Sequence, residues 1–280
     1  AARVPAAARE AARGPAAARE AERIARGLDD PALLAFALNG RFMQRFERTG
    51  LAPHRDAIGA ELIELSRRHG LASYELLGQL VRLQARGALG DFPGADRHAA
   101  AVDRLAARHE RPLAGVFTAW YRALRLAATG APTAAVEAAY RAAAARLDGA
   151  GMPGLERGLL PLALLSLRLR DGAPAPTDPQ LDWGPYEPWT GPLVLLAQGR
   201  EEEAAEALRA APEPPRDLLS EALWCLVARA AIAVGDRATM TRAQERLAPA
   251  AGELAGAGSG LLTLGPVARQ LDALAAALAR

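Results

Sequence analysis

The chain has 280 residues, 51% of them apolar but only 5% aromatic, with 34 basic side chains against 32 acidic ones. A net charge of +2 over this length, with arginines interleaved among glutamates and aspartates, argues against the basic stripe of a nucleic-acid surface. The most apolar run, Leu159 to Leu169, is eleven residues long and contains Pro161 and Arg168, short of the roughly 20 residues that a membrane-spanning helix needs.

Alanine, leucine, arginine and glutamate dominate, all of them good helix formers, and no alternating strand pattern runs far, so the expected class is all-α. Residues 1–10 and 11–20 are near copies, AARVPAAARE and AARGPAAARE, with few large apolar groups. We expect residues 1–14 to be frayed or only loosely docked and a helix to run from Pro15 to Gly27, within an Ala/Arg-rich segment 1–30. A start without methionine or a signal peptide pattern points to a processed chain or a piece of a longer protein.

A repeat array is expected over 31–171. Asp30 is placed to cap a helix that Pro31 opens, and helices follow at 31–48, 53–69, 72–88, 92–109, 112–128, 132–148 and 155–170. Gly50, Gly90, Gly130 and Gly172 end alternate helices, spaced by 40, 40 and 42 residues. A glycine after a helix supplies the left-handed conformation that the C-terminal turn often needs. The central hairpin, 113–147, carries Leu113, Val116, Phe117, Trp120 and Leu124 on one helix and Val136, Tyr140 and Leu147 on the other. Such a hairpin cannot bury its own apolar face and requires like neighbours. The expectation is a right-handed superhelix of stacked antiparallel pairs, an α-solenoid.

The register breaks at 172–192, which holds six prolines together with Trp183, Tyr186 and Trp189. The prolines rule out a regular helix there, and the aromatics argue for an ordered strap lying across the helices, either as a lid or as filler. Segment 193–280 continues with hairpins 191–199/201–210 and 217–234/236–250. A flexible stretch is expected at Gly252–Gly260, followed by a capping helix at 266–279.

Paired helices with glycine-punctuated turns resemble tetratricopeptide repeats, although the period is nearer 40 than 34 residues and the consensus is incomplete. The phrases ALLAFALNGRFMQ (32–44), RPLAGVFTAWYRALRLA (111–127), GMPGLERGLLPLALL (151–165), WGPYEPWTGPLVLLAQGR (183–200), EALWCLVARAAIAVGD (221–236) and AGSGLLTLGPVA (257–268) resemble the C-terminal repeat region of large actinomycete transcriptional activators of the antibiotic-regulatory, bacterial-transcriptional-activation-domain type. The resemblance implies a cytoplasmic signal-transduction module. The family's DNA-binding and nucleotide-binding parts would lie outside this chain, which has no lysine and therefore no Gly-x-x-x-x-Gly-Lys-Ser/Thr loop.

No enzymatic constellation stands out. His54, His69, His98 and His109 show no metal-ligand spacing, Ser259 lacks the strand–turn–helix context of a nucleophile elbow, and Cys225 lies in an apolar run that would raise its pKa. We expect no catalytic residue, cofactor or metal. The remaining candidate is a recognition groove lined by first helices of the pairs, with Asn39, Arg45, Arg82, Trp120, Tyr121 and Arg125, a composition favoured at binding hot spots; the competing reading is that Trp120 and Tyr121 only fill space between helices. The expected occupant is another domain of the parent regulator, a peptide or a small effector, with neither nucleic acid nor membrane contacted directly. The alternative is a small-molecule receptor with an enclosed pocket under the 172–192 strap. Alanine-rich faces leave a homo-oligomer open.

Overall fold

The computed structural model describes residues 6–147 and 156–280, which form thirteen α-helices and one antiparallel pair of two-residue strands. The helices are α1 (Ala6–Gly27), α2 (Pro31–Met43), α3 (Ala52–His69), α4 (Ala72–Ala88), α5 (Phe92–Arg108), α6 (Ala114–Ala128) and α7 (Thr133–Ala144). They continue with α8 (Leu159–Arg170), α9 (Glu187–Ala197), α10 (Glu201–Ala210), α11 (Ser220–Val234), α12 (Arg237–Leu247) and α13 (Val267–Leu278). The strands β1 (Leu254–Ala255) and β2 (Gly265–Pro266) pair Leu254 with Pro266 and Ala255 with Gly265. Among the described residues no helix is long and apolar enough to cross a membrane.

The local signals act where expected. The Asp30 carboxylate accepts from the Ala32 and Leu33 N–H groups at 2.9 and 3.0 Å, with Pro31 opening α2. Gly50, Gly90, Gly130 and Gly172 all take positive φ, between 72° and 76°. Gly50 does more than turn the chain, because a Cβ there would lie 2.0 Å from the Pro249 carbonyl oxygen. Successive helices from α1 to α7 pack on one another, and small residues let them approach: a Cβ on Gly78 in α4 would meet the Gly59 carbonyl oxygen of α3 at 3.0 Å.

The core is unevenly divided. Small clusters lie between the early helices, one of Ala35, Leu38 and Leu62 and another of Phe42, Phe46 and Val81. A single large cluster runs from Val116 to Ala277 and joins helices from α6 to α13.

Four expectations are corrected. Helix α1 extends from Ala6 straight through Pro15, since one lost N–H is tolerated in a run of strong helix formers; residues 1–5 lie outside the described residues. Helix α2 ends at Met43 rather than 48, where the chain turns to bury Phe46 edge-on against Phe42 at 5.4 Å. The strap is irregular only to Trp183: a 3-10 turn at Gly184–Tyr186 leads into α9, which passes Pro188 and Pro192 and crosses the expected boundary at 192/193. Pro188 falls in the first turn, where N–H groups have no helical partner, and Pro192 removes a single bond further on. The fourth concerns Gly252–Gly260, which is folded into the interior from Ala255 onward. Ala257, Gly258 and Ser259 are buried, the Gln84 side chain donates to the Ser259 carbonyl at 3.1 Å, and Ser259 Oγ donates to the Gly256 carbonyl at 2.6 Å. Glycines here permit close approach of the chain to α4. The expected helix limits at 148 and 155 lie outside the described residues.

Candidate functional site

The six expected groove residues do not converge as a set; only Tyr121 and Arg125 meet, at Asp96. Trp120 and Tyr121 are consecutive on α6, and a helix turns about 100° per residue, so they face opposite neighbours. Trp120 is 0% exposed and packs on Tyr140 of α7 with ring centroids 5.6 Å apart. Tyr121, equally buried, donates its hydroxyl to Asp96 of α5 at 2.6 Å, and burial followed by the Asp96 carboxylate holds its pKa well above the usual phenol value. Both fill space between helices. Arg82 of α4 binds Asp56 at 2.9 Å beside Arg86, which reaches the other Asp56 oxygen at 2.7 Å. Arg125 stacks 4.7 Å over the Phe92 ring and faces Asp96. Asn39 is half-buried on α2, and Arg45 contacts Glu47 at 3.4 Å just beyond it.

The strap aromatics join the large core. Tyr186 and Trp189 are buried, and Trp189 Nε1 donates to the Pro212 carbonyl at 2.9 Å, tying the strap to the connector after α10. Trp183 is half-buried, and its carbonyl oxygen lies where a Cβ on Gly158 would be, at 2.1 Å. Beside the strap is a 560 Å³ hollow bounded by Trp183, Pro188, Leu195 and Pro212.

A larger cavity lies elsewhere. It measures about 800 Å³ and opens where the turns after α4, α6 and α8 meet α11, β2 and α13. Its walls come from distant parts of the chain. Gly90, Phe92 and Gly130 stand at the turns, and Arg170 and Asp171 end α8. Cys225, Arg229 and Ile232 follow at spacings of four and three along one face of α11, and Arg269 and Gln270 come from α13. Leu254, Leu264 and Pro266 of the returning segment add an apolar wall.

The charges of this cavity are unbalanced. Some arginines elsewhere sit on carboxylates, as in Arg82–Asp56, Arg157–Asp182 and Arg246–Glu213, and others bond a backbone carbonyl or a hydroxyl, as Arg168 does with Pro174 and Arg242 with Thr239. Among the described residues none of Arg170, Arg229 and Arg269 has an acidic partner. Arg170 Nη1 and Arg229 Nε are buried without any hydrogen-bond partner. Burial lowers the Arg229 pKa, and its titratable neighbour Cys225 is pushed up to about 12 by burial, so the thiol is neutral at physiological pH and offers no counter-charge. Asp171 lies exposed at the rim and accepts from the Thr133 hydroxyl at 2.9 Å.

A second ionic group closes the molecule. Arg55 of α3, 2% exposed, lies 3.8 Å from Glu253, donates to the Arg45 carbonyl at 3.1 Å and stacks over Phe46 at 4.9 Å. Glu253 accepts from the Ala52 N–H at 3.0 Å. Glu221, also buried, feels both partners, and burial pushes both glutamates above the usual carboxylate range against the pull of Arg55. These groups are fully enclosed and serve the fold.

His98 bonds Gln79 at 2.7 Å and is held down to about 4 by burial and by Arg82, which keeps it neutral. No group of three or more His, Cys, Asp or Glu side chains is arranged to hold a metal ion among the described residues. Neither Arg170 nor Arg229 was singled out by sequence reasoning. A signal existed for Arg229, the lone basic residue in the apolar run of α11, but the counterpart walls come from residues too far along the chain to be paired with it by spacing. No family model, curated protein or solved structure matches the chain, so the antibiotic-regulatory resemblance stands on its sequence phrases alone.

Proposed function

We propose that this chain is the tetratricopeptide-like sensor and interaction domain of a transcriptional regulator. Its helix pairs would form a right-handed superhelix and its ligand would act from the cytoplasm. The observation that carries the reading is the 800 Å³ cavity, whose walls come from the repeat turns on one side and from the C-terminal return on the other. An effector or protein segment held there touches both parts of the molecule. It therefore favours whichever arrangement of the parent regulator brings those walls into contact, and it acts only through its difference in affinity for the two states. The volume falls within the roughly 300–1,000 Å³ of small-molecule sites, which favours an effector over a peptide. The hollow beside the strap supports the receptor alternative less well, because its wall is the outer side of a single hairpin, α9 and α10, with the adjoining connector.

The test is the thermal midpoint of the purified chain, measured with peptides from the other domains of its parent and separately with a small-molecule extract of the host. A ligand of the folded state raises the midpoint with concentration. The expected result is a rise with the extract, abolished by an Ile232→Trp substitution that fills the cavity. No rise with either addition overturns the reading.

A further inference from the structure

We propose that the cavity between α8, α11 and α13 binds an organic oxyanion, a carboxylate or phosphate headgroup on an apolar body, with Arg170, Arg229 and Arg269 receiving the headgroup. The inference rests on the reading of this cavity as the effector site and names the chemistry of the effector.

Three features of the walls lead to it. Arginine keeps its charge in any protein setting, so the half-buried Arg170 and Arg229, without carboxylates, leave positive charge in a partly dehydrated space. Buried unpaired donors are costly, and here they are the Nη1 of Arg170 and the Nε of Arg229. An oxyanion satisfies both kinds of deficit at once. The guanidinium presents its N–H groups as a flat fork matching two oxygens of a carboxylate or phosphate. The acid on the same wall, Asp171, is exposed at the rim and already engaged with Thr133. It cannot neutralise all the arginines. A cationic ligand is disfavoured by the same imbalance.

The rest of the ligand follows from the apolar part of the lining. Phe92, Ile232, Leu254, Leu264 and Pro266 supply apolar surface, and a headgroup alone would leave that surface facing water. A body of aliphatic or aromatic carbon covers it. Arg229 and Ile232 lie three residues apart on one face of α11, so headgroup and body contacts are adjacent on a single helix. The volume, between turns and a folded-back segment, suits a small molecule.

The probes are decanoate, decyl phosphate and the neutral decanamide, titrated by calorimetry at low and at physiological salt, with amide NMR shifts of Gly90, Gly130 and Gly265 marking the site. Decanoate or decyl phosphate should bind and move these three amides, while decanamide binds about tenfold more weakly or less. Arg229→Gln should weaken the anion by a similar factor and leave decanamide unchanged. Should Arg229→Gln fail to fold, Arg269→Gln, on an exposed side chain, gives the same comparison. Stronger binding of decyl phosphate assigns a phosphate source, and of decanoate a carboxylate source. Equal binding of decanamide overturns the oxyanion assignment and leaves an apolar effector site. Absence of binding by every probe also overturns it, and the host-extract midpoint then separates the two levels: a persisting rise keeps the effector reading, and none removes both.

Discussion

The two ends of the chain are held together differently. From α1 to α5 each helix packs mainly on the next, the apolar clusters are small, and ion pairs lace the helices together, exposed ones such as Arg26 with Glu22 and Glu61 and a half-buried one of Arg82 and Arg86 with Asp56. From α6 onward one continuous core joins the helices, and the segment after α12 turns back to reach α4. The first region is a chain of neighbours and the second a closed body. The cavity forms where they meet, because there the turns after α4, α6 and α8 face a wall that the chain has brought back from far away.

The sharpest way to break this contrast is Trp120→Ala. Removing a fully buried indole should cost about 4 kcal/mol, read as a shift of the urea midpoint. Hydrogen exchange should then rise across α6–α13 well before α3 and α4 are affected. Equal loss in all helices would mean that the core is shared by both regions.

Arg55→Ala attacks the link itself. It strands Glu221 and Glu253 as buried charges and should destabilise by about 3 kcal/mol. The expected signature is separation of a single unfolding transition into two, with the 250–260 segment losing exchange protection first. Arg55→Met combined with Glu253→Gln should recover most of the loss.

A smaller effect separates the regions by pH. Glu221 and Glu253 have raised pKa values in the fold because of burial. A raised carboxyl binds its proton more tightly folded than unfolded, so these two cost stability at neutral pH, and the cost fades as pH falls toward the ordinary glutamate value of 4.5. Asp56 behaves in the opposite sense. Its burial is outweighed by hydrogen bonds from Arg82 and Arg86, which hold it below the ordinary 3.8, so its contribution is lost only below that value. The thermal midpoint should rise by about 1–3 °C between pH 7 and 5, with the rise confined to the junction by exchange, and fall again below pH 4. Glu253→Gln should flatten the rise.

The all-α class and the punctuation of the array were legible because they depend on neighbours in sequence: Asp30 before Pro31, or glycines 40 residues apart that all take positive φ. The strap and the return were misjudged for one reason. Proline and glycine describe what a backbone can do without a partner, and both segments are decided by partners. Pro192 is tolerated because α9 packs through Trp189 and Leu193, and Gly258 leaves room for the Arg55 guanidinium, whose Nη2 lies 2.9 Å from where its Cβ would be. The candidate site suffered from the same limit. Arg, Trp and Tyr on the first helices of the pairs suggested a groove, but Trp120 and Tyr121 turn to different neighbouring helices, whereas Arg170, Arg229 and Arg269 come to line one cavity only by tertiary folding.

The bond from the Ala52 amide to Glu253 spans 201 residues, and this sets an order of events during synthesis. At about 5–20 residues per second, the ribosome releases Arg55 and the open side of α4 roughly 10–40 s before Glu253 and Ser259 can reach them. Through that interval the early hairpins exist as a nascent scaffold with an ungated ionic seat and an uncovered apolar strip. A chaperone that shields such strips, or a slow-translated stretch ahead of residue 250, would govern the yield of native protein more than the stability of any single helix does.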